Sequence, residues 1–277
     1  MRLISWNIDH PAKSEDIEGV IRVLRSTMPD IVALQEIPRR IPSELLEGLS
    51  MLGLEYIQSL TPRRGWGLLV ASKWPLERLE GAVIKIPKDE EGYYRGRHPV
   101  EDGEPARLLS VLVKRPIEIF ELHTVHVPPG SQAGWRKIDT IRAVAQQMWV
   151  PSTYYRILCG DFNEPRVDLS GGGVISWADH NPYSKKNPKR WQEAVDSIFL
   201  GLPKEEMRDV FRAVYGEKVC GMVSHRPRKR GTPRRYDHVF ATNMLEPVHA
   251  GYLPENVWAD VSDHAPAEVV FRDPRGR

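Results

Sequence analysis

The residues best suited to chemistry in this chain are acidic, amide and imidazole side chains that border apolar, strand-like runs. In the second half of the chain they form three short segments, Gly160-Asp161-Phe162-Asn163, Tyr236-Asp237-His238 and Ser262-Asp263-His264. In the first half they form two polar pairs, Trp6-Asn7 and Gln35-Glu36. A packed sheet can hold side chains at its strand ends rigidly. This combination of groups indicates a hydrolytic site built around a hard divalent cation and a phosphate ester.

Glu36 is the residue that we expect to bind the cation directly. Its carboxylate stands at the end of a predicted strand, and carboxylate oxygen is well matched to Mg²⁺ or Mn²⁺. Asn7 would support it with a neutral oxygen, and Asp263 is a candidate for holding a water molecule or the metal. The alternative interpretation is structural, with Trp6 in the core and Asn7 at the start of a turn.

Asp161 and Asn163 form a tighter unit. Asp161 can align or deprotonate the attacking water, and Asn163 can donate a hydrogen bond to a phosphoryl oxygen as negative charge builds there. Because Gly, Asp and Asn all favour turns, a simple turn is the alternative. Phe162 favours the site, since it reads as a buried anchor between two outward polar groups.

Histidines supply the remaining candidates. Asp237 and His264 suggest a pair in which the carboxylate fixes the imidazole and raises its pKa. The histidine would then keep a positive charge near the phosphate. His264 as a general base is the alternative. His126, just before a Pro-Pro-Gly turn, is the candidate for a general acid or a phosphate contact, whereas His123 reads as structural.

Hydrophobic patterns predict the elements that must position these side chains. Ile17, Val20, Ile21 and Leu24 recur at helical spacing, so a helix is expected from about Ser14. The other predicted helices span residues 42–52, 131–148, 191–200 and 205–215, and the predicted strands span residues 2–8, 31–34, 54–60, 67–72, 82–86, 106–113, 117–127, 155–160, 236–241, 248–252 and 265–271. The expected loops are residues 87–105, 166–189 and 224–235.

The order of these elements predicts the fold class. Strands with helices between them, but without strict alternation, indicate a mixed α/β sandwich. The polar pairs run from Asn7 to His264, so the site draws on both ends of the chain, and we expect one domain over residues 1–277.

Composition bounds the setting of the protein. The formal net charge of +2 over 277 residues gives no global reason to expect nucleic acid or a membrane as a partner. Cys159 and Cys220 cannot form a disulfide framework. No apolar run approaches the roughly 20 residues that span a bilayer, and the N-terminus shows no signal peptide. We expect a cytoplasmic protein that is not associated with membranes.

In this order, the segments resemble the endonuclease/exonuclease/phosphatase superfamily of DNase-like, Mg²⁺-dependent phosphoesterases. The resemblance covers nearly the whole chain, and the matching segments are Trp6-Asn7, Gln35-Glu36, Thr124-Val125-His126, Gly160-Asp161-Phe162-Asn163, Arg235-Tyr236-Asp237 and Ser262-Asp263-His264. It implies a four-layered α/β sandwich, in which two packed mixed β-sheets are flanked by helices. It also implies a site at one end of the sheets that hydrolyses P–O bonds.

The resemblance assigns roles by motif position. Glu36 would bind the metal with Asn7 and Asp263 nearby, and Asp237 would pair with His264. Asp161 and Asn163 would serve the nucleophile and the phosphate. His126 would contact the scissile phosphate or protonate the leaving group, and Arg107 falls where many members carry an arginine. Abasic-site endonucleases usually carry Tyr where this chain has His126.

A basic run just before Asp237 bears on the substrate. It would attract a polyanion such as DNA or RNA, although a merely solvated loop is the alternative; its residues are Arg226, Arg228, Lys229, Arg230, Arg234 and Arg235. Lys185 and Lys186 extend it, and Tyr93, Tyr94 and Trp66 are stacking candidates that could instead be packing residues.

The sequence therefore predicts a monomeric, Mg²⁺-dependent nuclease that hydrolyses a phosphodiester, with Arg107, Arg234 and Arg235 as substrate contacts. A phosphatase or phosphodiesterase for a small phosphorylated metabolite or lipid headgroup is the alternative enzyme. A non-catalytic binding protein of the same fold is the alternative of a different class.

Overall fold

Two six-stranded mixed sheets form the centre of the molecule. The computed structural model describes residues 1–11, 14–62, 65–79, 107–180, 184, 187–204, 206–228 and 230–273. In chain order its strands are β1 (Arg2–Asn7), β2 (Ile31–Ile37), β3 (Tyr56–Leu60), β4 (Gly67–Ser72), β5 (Leu76–Arg78), β6 (Leu108–Arg115), β7 (Glu118–His126), β8 (Tyr155–Asp161), β9 (Val167–Asp168), β10 (Val174–Ile175), β11 (Met207–Asp209), β12 (Asp237–Thr242), β13 (Pro247–Tyr252) and β14 (Ala267–Phe271).

The strand order brings distant parts of the chain together. The first sheet runs β13-β14-β1-β2-β4-β3, the second runs β11-β12-β8-β7-β6-β5, and β9 and β10 form a separate two-stranded ribbon. In the first sheet β1 and β2 are parallel, and in the second β7 and β8 are parallel. Parallel neighbours end at the same edge of a sheet, so the polar residues that follow them lie side by side.

Helices cover the outer faces of both sheets. They are α1 (Ser14–Thr27), α2 (Ser43–Met51), α3 (Gly130–Ala133), α4 (Trp135–Trp149), α5 (Pro188–Phe199), α6 (Gly201–Lys204), α7 (Val210–Tyr215) and α8 (Glu255–Trp258), and a 3₁₀ turn spans Ala178–His180. Among the described residues, no helix is both long and apolar enough to cross a membrane.

Three apolar cores define the layers. The core between the sheets takes Leu3 and Ile31 from the first sheet and Leu122 and Ile157 from the second. A second core joins the second sheet to α4 and α5, and a third joins the first sheet to α1 and α2. The layers therefore run helix, sheet, sheet, helix, and the predicted four-layered α/β sandwich is confirmed.

The predicted helix over residues 205–215 is wrong in its first half. Met207–Asp209 forms β11, which pairs antiparallel with β12 at the edge of the second sheet. α7 begins only at Val210, because the carboxylate of Asp209 accepts a hydrogen bond from the backbone N–H of Phe211 at 2.9 Å and caps the helix.

Two other expectations need revision. The predicted helix over residues 131–148 is divided into α3 and α4 at Gly134, whose φ of 55° ends the first piece. The expected loop over residues 166–189 contains the β9–β10 ribbon and the start of α5. The predicted strand over residues 82–86, the loop over residues 87–105, and Tyr93, Tyr94, Lys185, Lys186 and Lys229 lie outside the described residues.

Candidate active site

The register of the second sheet places three predicted site residues next to one another. His126 at the end of β7 pairs with Asp161 at the end of β8, and Asp161 pairs with Asp237 at the start of β12. All three side chains are almost completely buried. His126 Nε2 lies 3.8 Å from Asp161 Oδ2, so the sheet itself assembles this part of the site.

Gly160 allows this close approach. Its φ is +136°, and a Cβ atom there would lie 2.0 Å from the carbonyl oxygen of Val125 on the neighbouring strand. A side chain at this position would therefore drive β8 away from β7 and displace Asp161. The glycine before Asp161 is thus a requirement of the backbone, not only a turn preference.

Asn163 is held in an unusual conformation beside Asp161. Its φ is +50°, its backbone N–H donates to Asp161 Oδ1 at 2.8 Å, and its side-chain amide donates to the Val127 carbonyl oxygen at 2.9 Å. Phe162 points away into the core and is 1% exposed. This confirms the predicted buried anchor between two polar side chains.

The first sheet supplies Glu36 and Asn7 to the same place. The β2–β4 register shifts between Gln35 and Ile37, and Glu36 adopts a φ of +60° at that irregularity. Asn7 Nδ2 lies 3.0 Å from Asp161 Oδ2 and 3.3 Å from Glu36 Oε1, so its amide joins the two carboxylates.

Asp237 and His264 form the expected pair. His264 Nδ1 lies 2.8 Å from Asp237 Oδ2, and the Trp6 indole N–H donates to the backbone carbonyl of His264 at 2.7 Å. Burial disfavours the imidazolium, but the Asp237 and Asp161 carboxylates outweigh it and raise the pKa of His264 to about 10. The two carboxylates therefore favour the charged form of this imidazole.

Burial also shifts the pKa values of Asp161 and His126 in the second sheet. Burial, with help from Asp237, raises the pKa of Asp161 to about 7, against the opposing charge of His264. Burial and the nearby Arg107 lower the pKa of His126 to about 4, against the attraction of Glu36. His126 is therefore neutral at pH 7, which favours a phosphate contact over a general acid.

The carboxylate oxygens gathered here fit a hard divalent cation. Asp9, His10 and Glu36 offer ligand atoms that lie within 4.8 Å of one another. Burial and the Asp263 carboxylate raise the pKa of Asp9, because both disfavour its negative charge. Asp237 Oδ1 is buried without a hydrogen-bond partner among the described residues, and His126 Nε2 lies 3.3 Å from Glu36 Oε1, so both atoms face this group of carboxylates.

Three functional candidates escaped the sequence analysis. Asp9 lies two residues after Asn7, and its position beside Glu36 depends on the turn made by Asp9 and His10, both at positive φ. Ser224 donates its hydroxyl to Asp237 Oδ2 at 2.7 Å, from a loop without a recognisable motif. Lys137 donates to the Asn163 carbonyl oxygen at 2.6 Å. The one sequence signal for it is a charged residue on the otherwise apolar face of a predicted helix.

The three arginines expected to contact substrate differ in their surroundings. Arg107 is close to His126, with Nη1 3.3 Å from the imidazole Nδ1. Arg234 is half-buried, with its guanidinium 5.4 Å from the centre of the Trp177 ring. Arg235 is instead buried at 4% exposure and paired with Asp168 and Asp209, so its charge is used inside the protein and we remove it from the substrate contacts.

The sequence of the chain matches a known family. Residues 4–264 match the Endonuclease/Exonuclease/phosphatase family. The chain belongs to this family. Its members hydrolyse phosphoesters, typically with a divalent cation, and this chain is accordingly a phosphoric ester hydrolase. No curated protein matches the chain significantly.

Solved structures of this fold align over almost the entire chain. An AP endonuclease from Archaeoglobus fulgidus is 19% identical, with a TM-score of 0.63 over 99% of this chain and 100% of that one. D. rerio TDP2, complexed with a single strand DNA product, is 17% identical, with a TM-score of 0.66 over 99% of each chain. The 3′ phosphatase NExo from Neisseria, bound to a product DNA hairpin, is 16% identical, with a TM-score of 0.63 over 99% and 100%. At these identities the likeness establishes the shared fold.

In this Endonuclease/Exonuclease/phosphatase family protein, both sheets contribute to one polar cluster. Asn7 and Glu36 come from the first sheet, whereas His126, Asp161 and Asp237 come from the second. The cluster combines carboxylates suited to a cation with a buried imidazolium suited to a phosphate anion. Such a combination can stabilise the negative charge that develops when a P–O bond is hydrolysed.

Proposed function

We propose that this protein is a Mg²⁺-dependent nuclease that hydrolyses phosphodiester bonds in DNA or RNA, with Mn²⁺ as an alternative cation. The observation that carries the proposal is the attachment of the basic loop (residues 224–235, which carry the basic run) to the site. Ala265 N–H donates to the Ser224 carbonyl oxygen at 2.6 Å, and His225 exchanges backbone hydrogen bonds with Arg234. The loop therefore borders the cluster, and its arginines can meet the phosphates on either side of the reacting one.

Asp161 is the group that handles the nucleophile in this proposal. It lies at the centre of the cluster, within 4 Å of Asn7, Asn163 and the imidazoles of His126 and His264. Its carboxylate can orient a water molecule and accept its proton, because its pKa of about 7 suits a general base at neutral pH. Asn163 holds this carboxylate in place through its backbone N–H.

Charge on the phosphate is met by other residues. His264 stays protonated against Asp237 and can attract the anion, and neutral His126 can donate from Nε2 to a phosphoryl oxygen. Glu36 and Asp9 would hold the cation, with Asp263 and Asn7 close by. When bound, the cation supplies Lewis-acid stabilisation of the phosphoryl oxygens.

The structural relatives support a nucleic acid as the substrate. One is an AP endonuclease, one holds a single strand DNA product, and one holds a DNA hairpin. The exposed arginines of the loop, Arg226 and Arg228, add the positive charge that such a polymer requires.

A phosphatase for a small phosphorylated metabolite or lipid headgroup is the second candidate. It is favoured by the ion pairs that already engage the loop, since Arg228 lies 2.7 Å from Asp9 and Arg226 lies 3.1 Å from Glu255. The net charge of +2 also gives no strong global attraction to a polymer.

Hydrolysis of a substrate panel tests the proposal. The panel contains single- and double-stranded DNA, RNA, an abasic duplex, and small phosphomonoesters and diesters, each with Mg²⁺ and beside an Asp161→Asn control. We expect cleavage of a nucleic acid that falls by roughly 100-fold or more in the variant. Activity confined to small esters would instead establish the second candidate.

We further propose that residues 1–277 act as one monomeric domain in the cytoplasm. The site takes Asn7 from the first strand and His264 from the segment before the last, so neither half of the chain holds a complete site. Light scattering on the protein as it elutes from a size-exclusion column tests the monomeric state. A molar mass equal to that of a dimer would overturn this part of the proposal.

A further inference from the structure

A cavity of about 220 Å³ opens directly beside the cluster. Asn163, which holds the Asp161 carboxylate, forms one part of its wall, and Trp177, His180 and Tyr236 form another. None of the three rings is used by the chemistry described above. A group attached to a phosphate at Asp161 therefore has a defined place to go.

The lysine in the cavity wall has its charge neutralised inside the protein. Lys137 is 1% exposed, and its ammonium group lies 2.9 Å from Glu164 Oε1 and donates to the Asn163 carbonyl oxygen. Glu164 is itself fully buried and also accepts from the Trp191 indole at 3.1 Å. Because the Lys137 charge is balanced inside the protein, this ammonium group does not draw a second phosphate into the cavity.

The rings that line the cavity are fixed in position. The Trp177 backbone N–H donates to Glu164 Oε2 at 3.2 Å, and the ring meets His180 edge-on at 5.9 Å between centres. Tyr236 is 9% exposed, and His225 stacks on it at 5.1 Å between centres. A preformed cavity with aromatic walls suits a flat ring.

We propose that this cavity binds the base of one of the two nucleotides joined by the scissile phosphate. The inference rests on the proposed nuclease function and narrows its substrate to nucleic acid with an unpaired or displaced base at the cleavage site. A paired base cannot enter the cavity, since it remains stacked in the duplex. Base–aromatic contact tolerates any base, so the cavity selects for an available base and not for a particular sequence.

Matched small diesters test the proposal. Thymidine 5′- and 3′-(p-nitrophenyl phosphate) carry a base, and the corresponding 1,2-dideoxyribose esters lack it while keeping the same leaving group. For at least one isomer we expect wild-type kcat/KM to favour the base-bearing ester by about tenfold, the scale of one aromatic stacking contact. Trp177→Leu should abolish that preference, measured as the ratio of kcat/KM for the base-bearing ester to kcat/KM for the base-free ester.

Two further variants separate stacking from folding. Trp177→Phe keeps an aromatic wall and should retain most of the preference, whereas Trp149→Leu removes a 42% exposed tryptophan at the end of α4 and should leave it intact. Equal losses on both esters in Trp177→Leu, or no base preference in the wild-type enzyme, would overturn the base site.

Failure of the proposed function has a different signature. If no nucleotide diester or polymer is hydrolysed, calorimetric titration of thymidine 5′- and 3′-phosphate against 1,2-dideoxyribose phosphates still measures the base contact. Tighter binding of a nucleotide that Trp177→Leu removes would support the cavity as a base site while the nuclease proposal fails. Equal binding of nucleotide and sugar phosphate would reject the base site.

Discussion

The imidazole Nδ1 of His264 lies 2.8 Å from the carboxylate Oδ2 of Asp237, across the junction between the two sheets. Asp237 begins β12 in the second sheet, and His264 precedes β14 in the first. Both residues are buried, so the pair forms only when the sheets are packed. The charge of His264 therefore depends on the packing of the two sheets.

Removing that pair should abolish most activity without unfolding the protein. We expect His264→Gln to lower kcat by roughly 100-fold or more, the scale of a lost acid–base or charged group at an active site. His249→Gln, at a half-exposed histidine on β13, is the matched control. Steady-state kinetics on the substrate found in the panel measures both, and full activity in the His264 variant would remove it from the site.

Gly160→Ala should destabilise the fold severely. The new Cβ would lie 2.0 Å from the Val125 carbonyl oxygen in a backbone conformation with φ of +136°, so we expect a loss of more than about 3 kcal/mol. Gly171→Ala is the control, since Gly171 has a φ of +87° but no atom within 4 Å, and should cost only about 1 kcal/mol. Urea unfolding measures both; equal losses would show that strand proximity is unimportant.

Cation binding should depend on Glu36 and Asp9 together. We expect Glu36→Gln and Asp9→Asn each to weaken Mg²⁺ binding by at least roughly tenfold, because each removes a negative oxygen from one ligand cluster. Calorimetric titration with Mg²⁺ measures this independently of turnover. Glu18→Gln, at an exposed position of α1, should leave the affinity unchanged. An unaltered affinity in Glu36→Gln would exclude that residue as a ligand.

The buried ion pair between Glu121 and Arg156, away from the site, should make the free energy of unfolding depend on pH at acidic pH. Burial opposes ionisation of Glu121, but hydrogen bonds from His123, Ser152 and Arg156 lower its pKa from 4.5 to about 2. A lowered native pKa stabilises the fold above about pH 4.5, and that contribution is lost as the pH falls towards 2. The stability difference between wild type and Glu121→Gln should therefore shrink between pH 5 and pH 3, as measured by urea unfolding. A stability difference that stays constant between pH 5 and pH 3 would contradict the lowered pKa of Glu121.

The basic loop should govern how salt affects nucleic-acid binding. Replacing Arg226 and Arg230 with Gln should make the plot of log affinity against log salt shallower by about two units, since each phosphate contact releases about one counterion. Arg228 is left in place because it contacts Asp9. Arg272→Gln, at an exposed residue paired with Glu246, is the control and should leave the slope unchanged. An unaltered slope in the loop variant would make the loop a bystander.

Local pattern was sufficient for most of the fold. The helical spacing from Ile17 to Leu24 and the apolar run before Asp161 predicted α1 and β8 correctly. In both elements the spacing of the apolar residues matches the side of the element that is buried. The pattern failed over residues 205–215, where the edge of the second sheet recruits Met207–Asp209 as a strand. Pairing with a distant strand overrides local helix preference there.

The sequence by itself predicted which residues belong to the site: Glu36, Asp161, Asn163, Asp237 and His264 stand in short polar segments next to predicted strands. Tertiary structure decided which of the marked groups meet. It brought Asp9 to Glu36 and Ser224 to Asp237, whereas it buried Arg235 between Asp168 and Asp209. The physical reason is that a charge buried against an opposite charge cannot reach a substrate, and the neighbours that bury it come from distant parts of the chain.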